Sequence, residues 1–269
     1  MKLYREVFRI RNYEVDRGGV LKAAALLDYL QEAASNHAAH LGFGYEHLVR
    51  DKRAWLLNRL DLEIDRMPNW GETMVIETWP KSGFKMLALR DYRIYVVSDT
   101  IPNEATACDD GTLAEDAQLV QIGRATSGWV LLDTERRRPL RPTDHIRAEL
   151  TSPDEHGIKE PPRKLEAGAD QSTGLSADMH VDTRRSAYAD IDVYQHTNNA
   201  RLVQWMIDGL ARQGSPAFRS LSVNFMAEVM EGDEVQVMVS AAGDEHTGVV
   251  CRALLKSAQT IHAICEVRA

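Results

Sequence analysis

The densest group of chemically capable side chains lies in residues 188–199, YADIDVYQHTNN, where Asp190, Asp192, His196, Asn198 and Asn199 sit directly ahead of a helical run. A carboxylate beside an imidazole fixes its tautomer and orientation. The first N–H groups of a helix have no internal partners, so they are free to stabilise charge growing on an oxygen. Together these types suit attack on a carbonyl. The same loop also reads as a plain helix cap, with Thr197 or Asn198 capping and His196 in solvent. A second candidate is Glu228, in NFMAEVMEGDEV, flanked by Met226, Val229 and Met230. A strand-end carboxylate in partly apolar surroundings can be raised toward a useful general-base pKa.

The elements that must position these groups occur twice. Matching Asp16 to Asp192 places Leu26 and Leu27 on Leu202 and Val203, and Tyr29 and Leu30 on Trp205 and Met206, without a gap. Further on, LDLEIDRMPNWGETMVIETW (60–79) resembles LSVNFMAEVMEGDEVQVMVS (221–240), with Gly71 on Gly232. The frame is shared but the polar cluster is not: His196 falls on Val20, Tyr194 on Gly18, and Glu228 on Met67. One copy has the chemistry and the other reads as scaffold or pocket.

Within the first copy, apolar or small residues recur at helical spacing over 20–41, with seven alanines between 23 and 39. This slim helix, with Ala24, Leu27 and Leu30 on its apolar face, would pack closely on a sheet or leave room for an apolar ligand. Strand-like runs follow at 54–64, 72–79, 86–97 and 118–132, separated by turn signals such as Pro68-Asn69-Trp70-Gly71. The second copy repeats the order, with a helix near 198–213 and strands near 219–228, 233–241, 247–256 and 259–268. A helix on a curved antiparallel sheet, twice over, is an α+β arrangement. The expected divisions are 1–132, a linker at 133–178 and 179–269. The linker holds five of the nine prolines, and a short helix near 142–150 capped by Thr143 is predicted within it. The acidic stretch 98–117 reads as an exposed hairpin loop.

Composition bounds the function. The chain has 269 residues, 44% hydrophobic and 27% charged, and a formal net charge of −8. That is ordinary globular usage, and the acidic balance argues against general nucleic-acid binding. No apolar run approaches a membrane span, and the N-terminus MKLYREVFRIRNYEV lacks the apolar block of a signal peptide. Cys108, Cys251 and Cys265 have neither disulfide nor zinc spacing. The expectation is a soluble cytoplasmic protein with no metal and no cofactor.

DIDVYQHTNN followed by ARLVQWMID, the E-x-x-x-G-D pattern at 228–233, LLDYLQEAASNHAAHLG, AWLLNRLDLEIDRMPNWGE and GRATSGWVLLDTERRRP together resemble the acyl-ACP thioesterases of plants and bacteria. The resemblance implies two tandem hotdog domains whose sheets pair within the chain, and hydrolysis of a fatty acyl thioester carried on the 4′-phosphopantetheine of acyl carrier protein. By position, the family's catalytic residues fall on Asp192, His196 and Glu228, with Tyr194, Asn198 and Asn199 in the supporting, oxyanion region. The family usually has asparagine where this chain has Tyr194, and many plant members have cysteine where it has Val229. The expected chemistry is therefore water attack without a cysteine nucleophile, with direct attack by Glu228 or Asp192 as the covalent alternative. The acyl channel is implied in the first copy, against Ala24, Leu27 and Leu30. An acidic carrier would dock on basic residues, of which Arg136, Arg137, Arg138, Arg141, Lys159, Arg163, Lys164, Arg184 and Arg185 are candidates. An acyl-CoA thioesterase, a hotdog dehydratase or hydratase, and a non-catalytic acyl-binding protein are the rivals; monomer and homodimer are both compatible.

Overall fold

The computed structural model describes residues 3–98, 113, 117–146, 148–152, 154–166, 180–212, 217–240 and 251–268. Most of the 98–117 stretch, with Cys108, lies outside the described residues, as does 167–179. The chain divides into two compact units, Met1–Leu56 with Glu63–Pro161, and Leu57–Leu62 with Pro162–Ala269.

The first unit runs β1 (Tyr4–Arg9), α1 (Ala23–His40), α2 (Tyr45–Arg50), β2 (Arg53–Ile64, its middle counted with the second unit), β3 (Thr73–Phe84), β4 (Leu87–Val97), β5 (Leu119–Asp133) and β6 (Arg138–Leu140). Strands β1, β3, β4 and β5 lie side by side in that order, every pairing antiparallel, with β6 hydrogen-bonded to β5. Helix α1 buries Ala23, Ala24, Leu26, Leu27, Leu30, Ala33, Ala34 and His37. Their three- and four-residue spacing makes one face, and each buried leucine contributes about 1.5–3 kcal/mol relative to exposure. The helix stops at Gly42, whose φ of +82° allows Gly42 N–H to bond the Ala39 carbonyl and Phe43 N–H the Ala38 carbonyl. That left-handed closure satisfies the last carbonyls.

The second unit runs β7 (His180–Arg185), a 3-10 turn at Tyr188–Asp190, α3 (Asn199–Arg212), β8 (Ser220–Phe225), β9 (Glu234–Ser240), β10 (Cys251–Ser257) and β11 (Thr260–Arg268). Its sheet order is β8-β11-β10-β9-β7, again antiparallel. Helix α3 lies close on this sheet: a Cβ added at Gly209 would stand 2.8 Å from Val239 and 3.0 Å from Val237.

The duplication holds bond for bond. Asp16 N–H to Val20 O (2.8 Å) matches Asp192 N–H to His196 O (2.9 Å), and Leu21 N–H to Pro68 O matches Thr197 N–H to Val229 O, both 2.8 Å. Ile10 N–H to Glu72 O and Gly71 N–H to Ile10 O recur as Ser186 N–H to Asp233 O and Gly232 N–H to Ser186 O. Gly71 and Gly232 share φ values of +83° and +85° with open space around a would-be Cβ, so conformation and not packing requires glycine there.

One expectation is corrected. The helix near 142–150 is instead a pair of 3-10 turns, Pro142–Asp144 and Ala148–Leu150, and Thr143 Oγ1 bonds the Asp144 side chain rather than capping. The segment has no apolar period for a helix to bury. Residues of the proposed linker up to Pro161 fall within the first unit. Gly157 N–H donates to Asp91 Oδ2 (2.8 Å), and Lys81 Nζ donates to the carbonyls of Ile158 (2.6 Å) and Lys159 (2.9 Å). Lys81 and Asp91 form a buried ion pair at 3.2 Å. Burial pushes the Asp91 carboxyl up, opposed by Thr126, Gly157 and Lys81. Farther along, in the second unit, Asn224 clamps the backbone at Leu165 N–H and Arg163 O.

Gly157 has no room for a methyl group: its Cβ would stand 2.6 Å from the Tyr92 carbonyl and 2.8 Å from that of Ala125. Gly157→Ala should destabilise the first unit by about 1–3 kcal/mol, lowering Tm by roughly 2–10 °C in thermal unfolding. An unchanged Tm would mean that this strap is not seated on the sheet.

Candidate active site

The candidate site is built from two segments of the second unit. After β7, the 3-10 turn at Tyr188–Asp190 leads into a tight loop closed by a bridge between Ile191 and Thr197. Asp192 organises this loop. Its Oδ1 accepts the main-chain N–H of Tyr194 (2.9 Å) and of His196 (3.5 Å), while Gln195 N–H donates to the Asp192 carbonyl (3.0 Å). The price is a left-handed Gln195, φ +67°, at a position held by glycine (Gly19, φ +78°) in the first unit. The second segment follows β8 and contains Glu228. Thr197 N–H to Val229 O joins the two, supported by a buried 2.7 Å hydrogen bond between Ser186 Oγ and Thr197 Oγ1.

The join brings His196 Nε2 to 3.3 Å from Glu228 Oε2, with the side chains 26% and 39% exposed. An imidazole and a carboxylate at this distance can act together as a general base. Val193, Met226 and Met230 are exposed on the same two segments, giving the pair an apolar rim.

The Asp192 carboxylate binds main-chain N–H groups of its own loop, and Glu228 is the acid beside the His196 ring. Asp16 does the same in the first unit, accepting from Gly18 (2.7 Å) and Val20 (3.1 Å), where the histidine's place is taken by valine. The aspartate therefore serves the loop in both units, with or without an imidazole. Asn198 caps α3: its Oδ1 accepts Ala200 N–H at 2.7 Å, and its carbonyl accepts Arg201 N–H at 2.9 Å. Those two helix-start donors, expected to meet an oxyanion, are thereby engaged. Asn199 begins the helix and is half-buried, as is Tyr194.

The other predicted residues lie elsewhere. Ala24, Leu27 and Leu30 are buried on α1. On the same helix His37 is buried too, its Nδ1 accepting from Arg90 Nη1 at 3.1 Å, and Arg90 also reaches Thr78 Oγ1 at 3.1 Å. Burial pushes the Arg90 pKa down. Sequence reading passed over this polar group under the helix, although a charge inside LALRDYRIYVV was its signal. Arg136, Arg137, Arg138 and Arg141 are exposed around the β5–β6 turn. Arg184 is half-buried, paired with Asp182 (2.9 Å) and Asp208 (3.8 Å), whereas Arg185 is exposed. Arg163 is bound to Ser222 at 2.6 Å. Cys251 and Cys265 are buried, and burial pushes the Cys265 thiol up. Among the described residues no group of three or more His, Cys, Asp or Glu is placed to hold a metal.

Residues 1–107 match the acyl-ACP thioesterase N-terminal domain and residues 176–268 the acyl-ACP thioesterase C-terminal domain. The chain is 26% identical over 266 residues to the oleoyl-acyl carrier protein thioesterase 1 of Arabidopsis thaliana, covering 90% of this chain and 64% of that one. It is 28% identical over 271 residues to the oleoyl-acyl carrier protein thioesterase of Coriandrum sativum, covering 91% and 64%. It therefore spans a little under two thirds of the length of these curated relatives. The crystal structure of an acyl-ACP thioesterase from Bacteroides thetaiotaomicron superposes with a TM-score of 0.75 at 22% identity, covering 99% of this chain and 97% of that one. The shared fold is of the hotdog type, a helix on an antiparallel sheet, in α+β class.

If Asp192 and Asp16 do the same work, their removal should cost the same. Asp192→Ala and Asp16→Ala are each expected to lower stability by about 1–3 kcal/mol, measured by chemical denaturation. A loss at Asp192 with none at Asp16 would break the equivalence.

Proposed function

Because the chain belongs to the acyl-ACP thioesterase family, we propose that it hydrolyses fatty acyl thioesters of acyl carrier protein to the free fatty acid and the phosphopantetheine thiol. The observation that carries this reading is the 3.3 Å contact between His196 and Glu228. At the matching places the first unit has Val20 and Met67.

In the proposed reaction Glu228, with His196, takes a proton from a water as its oxygen bonds to the thioester carbonyl carbon. The tetrahedral oxyanion collapses, the C–S bond breaks, and the proton returns to the departing sulfur. The side-chain amides of Asn198 and Asn199 polarise the carbonyl oxygen; the main-chain amides of Asn198, Ala200 and Arg201 are already taken. Asp192 acts by holding the loop in shape. Direct water attack suits the pair, because the two side chains face each other and neither buried cysteine lies in these segments.

The fatty chain requires a dry slot, since each buried methylene is worth about 0.8 kcal/mol. The slot is assigned to the first unit, against the slim face of α1 at Ala24, Leu27 and Leu30. The acidic carrier docks on exposed arginines, with Arg136, Arg137, Arg138 and Arg141 the candidates and Arg185 a further one. No described helix is long and apolar enough to cross a membrane.

A panel of acyl chains on acyl carrier protein and on coenzyme A, with the released acids identified, tests the reaction and the carrier. Glu228→Ala and His196→Ala should each lower kcat by about 100-fold or more while leaving Tm near wild type; near-normal turnover in both would end the assignment. In oxygen-18 water a single turnover should place the label in the fatty acid alone, and label in a protein carboxylate would indicate a covalent intermediate. Ala24→Leu should move the product profile to shorter acids, and an unchanged profile would place the slot elsewhere.

A further inference from the structure

A third position in the shared frame has changed in the same sense as His196 and Glu228. In the first unit Asp65 N–H donates to the Ile122 carbonyl at 2.7 Å. In the second, Met226 N–H donates to the His262 carbonyl at 2.8 Å, and Ala227 N–H does so at 3.3 Å. His262 therefore stands where the first unit has Ile122, just as His196 stands for Val20 and Glu228 for Met67. Three apolar residues of one copy are titratable residues of the other, and two of the three form the proposed proton-accepting pair.

An imidazole is a costly choice for this place. His262 is only 5% exposed, near the start of β11 where its register with β10 shifts, and a buried polar ring is tolerated only when hydrogen-bonded. Both nitrogens are satisfied. Nδ1 lies 2.9 Å from the main-chain oxygen of Glu228, and Nε2 lies 2.7 Å from Ser257 Oγ on β10. A carbonyl can only accept, so Nδ1 carries the hydrogen; Nε2 of the neutral ring then accepts the Ser257 hydroxyl. The bonding fixes one tautomer and one orientation.

We propose that His262 is the positioning residue for Glu228. Glu228 lies past the end of β8 at Phe225. His262 grips that departing segment on both sides, through its own carbonyl at Met226 and Ala227 and through its ring at Glu228. The grip turns the Glu228 carboxylate toward His196, with Ser257 holding the ring from behind. A displacement of about 1 Å at a reacting group can cost roughly 100-fold in rate, which gives this otherwise expensive histidine its return. The inference rests on the hydrolase reading above.

The test compares His262→Ile, the residue that the same frame accepts at position 122, with His262→Asn, whose side-chain amide can replace the Nδ1–H donor. On acyl-ACP, His262→Ile should lower kcat about 10–100-fold, with KM within about twofold, and His262→Asn should recover most of that loss. Ser257→Ala should lower kcat less, and should add nothing to His262→Ile. Wild-type kcat in His262→Ile, or no recovery in His262→Asn, would overturn the proposal. Glu228→Ala is the control: if it is inactive while His262→Ile is normal, only this inference fails, whereas a wild-type protein inert toward every acyl thioester overturns both. Should His262→Ile not fold, nitrogen-15 spectra of the histidine rings in the wild-type protein decide: the Nδ1–H form is expected for His262, and an Nε2–H form would refute the grip.

Discussion

One main-chain hydrogen bond, from Thr197 N–H to the Val229 carbonyl, holds the second unit's chemistry together. It ties a loop that precedes a helix to a loop that follows a strand, segments far apart along the chain. Without it His196 and Glu228 have no reason to meet. Everything around it keeps the bond in place: the Asp192 carboxylate shapes one loop, the Gly232 turn and Asp233 shape the other, and the Ser186–Thr197 hydroxyl pair closes the gap beneath. Each of these groups binds the loops themselves. They remove conformational freedom so that two side chains stay within 3.3 Å, an entropic cost met by folding.

The first unit shows what this framework is without its chemistry. The same tie runs from Leu21 to Pro68, the same aspartate bonds the same two amides, and the same glycine turns the chain. Where imidazole and carboxylate stand in one copy, valine and methionine stand in the other. A frame that survives the exchange of its side chains so fully is stable for backbone reasons, which leaves those side chains free to be chosen for other ends. In the first copy the choice favours a thin, alanine-rich helix whose own buried His37 meets a buried arginine, Arg90.

Much of this was legible in the residues because the relevant signals are periodic or local. The helical spacing over 20–41 and the alternating runs gave α1, α3 and most strands to within a few positions, and the paired motifs revealed the duplication. What stayed hidden depends on the direction in which a polar group points. Nothing in D-V-Y-Q-H tells whether the carboxylate faces the ring or the amide of the histidine, although Asp16, in a copy without histidine, already hinted at the amide. His262 reads as an ordinary strand residue in TIHAICEVR, since its partners at Glu228 and Ser257 come from other segments. The proline-rich stretch looked like a loose tether, because the carbonyls that Lys81 gathers and the amide that Asp91 accepts carry no side-chain signature.

The division of β2 has a consequence for how such a chain can be taken apart. Residues Leu57–Leu62 belong by their packing to the second unit, although they are encoded ahead of most of the first. A gene cut anywhere in the proline-rich stretch would leave the downstream fragment lacking a strand's worth of its own interior. The two halves of this duplicated sequence are thus no longer two modules that recombination could trade one at a time.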